Sequence, residues 1–246
     1  MSENYGIDAE NAKPTLHERI DNFFYHYKWH AIVALFLVFT IVICSFQMCS
    51  KQSYDVYVMY AGGYSVKKTA SEDDVSEYQK INSVLMQQIE DFDGDGGRNV
   101  NFLTLFIPSD EEIREIENSD SGQKVNYSVV LDNSEIFEQN MAFSEYAVCL
   151  LSEHLFLEWC DKDDMQFFAE ISKYTDDKID TYEYVNEYGI RLGSTPLYHT
   201  AGMKILPEDT VICIRVMNGL SSRFNEEENR ENYRRSEIML KEMLSK

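Results

Sequence analysis

The pattern of apolar and polar positions divides the chain near residue 50. Ala31 to Phe46 is sixteen residues without a charge, and Trp29, His30, Gln47 and Met48 extend the run to twenty. At ~1.5 Å per residue, twenty helical residues match the ~30 Å hydrocarbon layer of a bilayer. The run has no polar face, which sets it apart from the half-wet helix of a soluble core. Upstream, Thr15-Leu16-His17-Glu18 after Pro14 predicts a capping box. Leu16, Ile20, Phe23, Phe24 and Tyr27 recur at helical spacing and lead into aromatic residues suited to the membrane–water interface. Bulky residues precede Cys44 and no small-residue site follows the run, so the segment is expected to stay as an anchor.

Beyond the anchor the period alternates between strand and helix. Tyr54 to Tyr60, Val100 to Ile107, Tyr146 to Leu151, Tyr188 to Leu192 and Thr210 to Met217 predict strands. Helices are predicted over Ser71 to Phe92, after a capping box at Ser109, over Ser134 to Ser144, after Ser152, and over Glu227 to Leu244. Asp93 to Gly97 and the polar run Asn118 to Lys124 punctuate them. Strands apolar on both faces and alternating with helices predict an α/β domain of three layers with a mainly parallel sheet. The expected organisation is therefore an N-terminal segment 1–28, a transmembrane helix 29–48, a linker 49–53, an α/β domain 54–220 and a C-terminal helix 221–246.

Charge sets the orientation and excludes some partners. Lys13, Arg19 and Lys28 precede the anchor, and only Lys51 follows it within fifteen positions. The excess places the N-terminus in the cytoplasm and the domain outside. Net charge is −21, and from Tyr54 onward 18 Lys/Arg face 38 Asp/Glu. So acidic a domain repels phosphate backbones, and no nucleic acid is expected as partner. The bilayer is one partner, through residues 29–48; a small molecule or a membrane or envelope protein is the other. Of the five cysteines, Cys149 and Cys213 sit within apolar strand-like runs, and the spacings suggest no disulfide framework.

Two constellations carry candidate chemistry. Asp91, Asp93 and Asp95 followed by Gly96 match the first half of a calcium loop, with Asn99 at the ninth position. Phe102 stands where the bidentate Glu belongs, so weak Ca²⁺ binding is the expectation, against a polar turn that needs no ion. No other cofactor is expected. In open α/β sheets, ligands bind beyond the carboxyl ends of the strands. That edge should gather Gly62, Gly63, Tyr64, Ser109, Asp110, Ser152, Glu153 and Thr195, with glycines allowing close approach and helix N-termini offering N–H groups. The same residues also serve as turns and caps. His154 and His199 have no partners at catalytic spacing, and nucleophile-elbow, zincin, Walker and dinucleotide patterns are absent, so no enzyme is expected.

The Tyr27 to His30 approach to the membrane, the Gly94-Asp95-Gly96 turn and the Tyr188-Gly189-Ile190 strand resemble those of uncharacterised single-pass membrane proteins of Clostridia-like Gram-positive bacteria. Their outer part is similar in order to one lobe of type 2 periplasmic (extracellular) solute-binding proteins, over roughly Tyr54 to Met217. The resemblance implies an anchored solute-binding-like or ligand-sensing module. That family holds its ligand between two lobes, whereas this chain has residues for one. The alternative is an envelope scaffold or assembly subunit that docks another protein.

Overall fold

The computed structural model describes residues 15–49, 54–70, 74–119, 124–143, 145–162, 166–175, 181–216 and 226–245. Parts of the expected segments 1–28, 49–53, 54–220 and 221–246, together with Ser71 and Met217, lie outside those residues. The chain divides into two compact units, Met1–Gln52 and Ser53–Lys246.

The first unit carries one continuous helix, α1 (Leu16–Cys49), which is ~50 Å long at the usual rise. Tyr27–Ser45 within it is long and apolar enough to cross a membrane. Thr40 and Ser45 donate their hydroxyls to the carbonyls of Phe36 and Ile41, each at 2.8 Å. In an apolar surrounding this satisfies the two aliphatic hydroxyl groups of the stretch from within the helix.

The second unit is built on a six-stranded sheet in the order β2-β1-β3-β6-β5-β4. β1 (Val56–Gly62) runs parallel to β2 (Val100–Phe106) and to β3 (Val148–Leu151). β6 (Val211–Ile214) is antiparallel to β3, and β5 (Gly189–Arg191) and β4 (Tyr184–Asn186) continue the antiparallel half. The expected sheet is thus mixed: its N-terminal half is parallel and its C-terminal half antiparallel. The period-2 rule accounts for the two cores. Val56, Val58, Tyr60, Val148, Leu150, Ile212 and Ile214 face one side. There they meet Ile81, Val84 and Leu85 of α2 (Glu77–Met86) and Met239, Leu240, Met243 and Leu244 of α6 (Glu226–Ser245). Met59, Ala61, Cys149, Leu151, Val211 and Cys213 face the other side. They are covered by Phe137 and Met141 of α4 (Tyr127–Phe143) and by Leu155, Phe156 and Trp159 of α5 (Glu153–Cys160). Burying both faces of the central strands produces three layers.

Several boundaries differ from those the pattern predicts. α2 begins at Glu77 rather than Ser71, because Ser76 and Gln79 form a reciprocal capping box there. α4 begins seven residues before the expected Ser134. The single strand expected over Tyr188 to Leu192 is half of a hairpin with β4, and short 3₁₀ turns at Ile171–Tyr174, Pro196–His199 and Met203–Ile205 complete one face.

Candidate functional site

The acidic turn is tied down by its own backbone. Asp91 accepts the N–H groups of Gly94 at 2.7 Å and Gly96 at 2.9 Å. Asp93 accepts Asp95 N–H at 3.1 Å, and Asp95 accepts Gly97 N–H at 2.7 Å and the Asn99 amide at 3.4 Å. Gly94 and Gly96 have φ of +74° and +90°, the left-handed region that glycine enters without steric cost. Of the sequence-predicted set, only Asp91 and Asp93 converge. The third member of the group is Asp55, whose oxygen lies with theirs within 4.8 Å. Asp95 and Asn99 face each other instead. Asp55 is fully buried and its two oxygens accept Phe92 N–H and Asn99 N–H, both at 2.8 Å. Its own N–H donates to the Asn99 carbonyl at 2.8 Å. It therefore latches the end of the turn to the start of β1, and its oxygen donor type suits a hard cation such as Ca²⁺.

At the carboxyl edge of the parallel strands, Leu105, Ala61, Leu151, Val211 and Arg191 stand side by side across five strands. Just beyond them come Gly62, Gly63, Tyr64, Ser109 and Ser152, as the sequence predicts. Their polar groups are largely spent on one another. Ile107 N–H donates to the Gly62 carbonyl and Ser152 N–H to the Ala61 carbonyl. Ser109 caps α3 (Asp110–Asn118) in a box with Glu112, whose carboxylate accepts Ser109 N–H at 2.7 Å. That carboxylate lies over Gly63, where a Cβ would meet Glu112 Oε1 at 2.0 Å. The acid in the first turn of α3 favours the helix dipole and takes up the Ser109 N–H. Asp110 beside it is exposed.

Tyr64 N–H donates to the Tyr60 hydroxyl at 3.2 Å. Burial pushes the Tyr60 hydroxyl pKa well up. Burial, followed by a hydrogen bond to Glu77, raises that of Tyr64. Glu153 pairs with Arg191 at 2.7 Å, which also pairs with Glu183 at 3.1 Å. Thr195 is fully enclosed and returns its hydroxyl to the Leu192 carbonyl at 2.7 Å. It supports the turn after β5 and does not open onto the edge. Ser152 Oγ is shielded from solvent and has no hydrogen-bond partner among the described residues.

Sequence reasoning missed Asp55 and Arg191, and it placed Glu112 in the Ser109 capping box without its contact over Gly63. In comparisons with protein-family models, curated proteins and solved structures, nothing matches this chain.

Proposed function

We propose that this chain is a membrane-anchored envelope protein, without catalysis of its own, whose outer domain docks another protein through the solvent side of α4. One observation carries the reading: α4 buries Phe137 and Met141 but leaves Tyr127, Val129, Leu131, Ile136 and Phe143 exposed. Val129, Ile136 and Phe143 recur every seven residues and so form one line on the helix. Apolar side chains gathered on a helix in water mark an interaction surface. The acidic surroundings favour a partner with a basic rim. The competing solute-binding reading needs open donors at the sheet edge, and there Glu112 takes the Ser109 N–H, the Ala61 carbonyl the Ser152 N–H and the Tyr60 hydroxyl the Tyr64 N–H.

The test is a photoreactive amino acid placed at Ile136 or Phe143 in the full chain in its native membrane. Adducts of one defined mass are expected from both positions and none from exposed Glu170, with loss of the adduct in Val129→Asp. Labelling no different from that at Glu170, together with a rise in melting temperature for one member of a metabolite panel, would overturn docking in favour of solute binding.

A further inference from the structure

The pairing of β3 with β6 sets Cys149 directly opposite Cys213. Both residues are completely buried, on the sheet face covered by α4 and α5. Two positions away, Arg215 N–H donates to the Ala147 carbonyl at 2.9 Å. In an antiparallel ladder the hydrogen-bonded pairs recur every second residue, so Cys149 and Cys213 also form such a pair. Pairs of this kind hold their Cα atoms about 5.5 Å apart, inside the range over which a disulfide closes. The thiols stay at the seam: Cys213 Sγ is 3.7 Å from the Cys149 carbonyl oxygen, and Cys149 Sγ is 3.7 Å from the Ala147 carbonyl oxygen. Arg215 adds a buried guanidinium beside them, anchored on the carbonyls of Asn140 and Met141 in the last turn of α4.

We propose that Cys149 and Cys213 are a cross-strand disulfide pair, joined in the mature outer domain. The inference rests on the extracytoplasmic placement given above, since that compartment allows disulfides to persist. It has a mechanical logic. The β3–β6 ladder is the one junction between the parallel and antiparallel halves of the sheet, and it is only four residue pairs long. A covalent bond there closes a long loop and ties the halves together.

The oxidant is a disulfide of the extracytoplasmic thiol–disulfide exchange class. One cysteine thiolate attacks a sulfur of that disulfide, forms a mixed disulfide and expels the first thiolate. The second cysteine thiolate attacks the protein sulfur of the mixed bond and expels the other. Two S–H bonds are lost and one S–S bond is formed in the protein. The oxidant takes up the two electrons and two protons and leaves as two thiols. Complete burial fixes the timing: the bond forms before α4 and α5 cover the face, and afterwards it is shielded from reductants.

Full-length protein is extracted from membranes, alkylated in denaturant without reduction, and mapped by peptide mass spectrometry. Linked Cys149 and Cys213 peptides are expected, with Cys44, Cys49 and Cys160 alkylated and all five cysteines alkylated only after reduction. A second sample is unfolded, reduced and refolded in glutathione redox buffer, where compartment plays no part. A link present there but absent from membranes would uphold the pair and overturn the outside placement. Full alkylation of Cys149 and Cys213 in both samples, or a link from either to Cys160, would overturn the pair.

Discussion

Asp55 shows what a single carboxylate does for this fold. It satisfies two main-chain N–H groups that lie 37 and 44 residues further along the chain, and it does so with no exposure to water. Hydrogen bonds to a charged acceptor contribute about 1.5–3 kcal/mol each, and orphaned buried donors cost comparably. Asp55→Ala should therefore lower stability by about 3 kcal/mol or more, read as a shifted urea midpoint at unchanged slope. A loss under 1 kcal/mol would mean that the latch is dispensable. Asp91, Asp93 and Asp95 were legible in the sequence because they are spaced two apart; Asp55 was not, because its partners are remote. The carboxylates of Asp55, Asp91 and Asp93 repel one another unless a cation lies between them. For a site with a dissociation constant near ~1 mM, ~10 mM Ca²⁺ should stabilise by RT ln 11, about 1.4 kcal/mol. A melting temperature indifferent to Ca²⁺ and chelator would leave a polar glycine turn. Tyrosines supply the pH dependence. Burial, then Glu145, pushes the Tyr57 hydroxyl up to about 12, and burial first does the same for Tyr146. Both are protonated in the folded chain at pH values where an unfolded tyrosine, near 10, has ionised. Their contribution is complete below pH 10 and fades as pH rises toward 12. Urea midpoints should hold below pH 9 and fall between 10 and 12, less steeply in a Tyr57→Phe, Tyr146→Phe variant; equal slopes in the two proteins would refute the assignment.

At the scale of elements, what the pattern predicted well was whatever is locally encoded. The Ser109 capping box, the apolar runs of β1, β2 and β3 and the stripe of α6 carry their own signals. β4 does not: Tyr184-Val185-Asn186 is three residues long and is a strand by virtue of its pairing with β5. The 3₁₀ turns are likewise products of packing rather than of period. Gly189 is the sharpest test of this closeness. A Cβ there would meet Val211 Cγ1 at 2.5 Å and Phe156 Cζ at 2.6 Å, both in the core. Overpacking of that kind costs about 1–3 kcal/mol. Gly189→Ala should shift the urea midpoint accordingly, whereas a midpoint within error of the parent protein would show that β5 sits further from α5. Direction was the other unreadable feature. Apolar runs announce burial on both faces, but β6 reverses because the chain returns to β3 through β5, a long-range fact absent from any local window.

For the whole molecule, the decisive contrast lies between a helix that leaves its apolar side chains uncovered and a domain that buries both faces of its sheet. Leu35, Phe36, Phe39 and Ile41 of α1 are all more than half exposed. Left in water, these side chains would forgo roughly 1.5–3 kcal/mol apiece relative to burial, a cost that a bilayer removes. The Tyr27–Ser45 stretch has nineteen residues, about 28 Å of helix, close to the hydrocarbon thickness. The orientation we propose rests on charge. Lys13, Arg19 and Lys28 lie before the uncharged run Ala31–Phe46 and Lys51 after it, and translocation disfavours moving the more basic flank. The acidic counts beyond the anchor do not enter, because long domains cross largely regardless of charge. Ser53–Lys246 forms a compact unit of its own. Protease added outside cells whose wall has been removed should therefore degrade a tag at Lys246 and spare one at Met1, and inside-out vesicles should reverse the pattern. Protection of the Lys246 tag in the first preparation would place the domain in the cytoplasm. Moving the charge is the stronger control: Lys13→Glu, Arg19→Glu, Lys28→Glu with added Lys beyond Ser50 should invert a measurable fraction of chains. If no fraction inverts, the basic flank is not what sets the orientation.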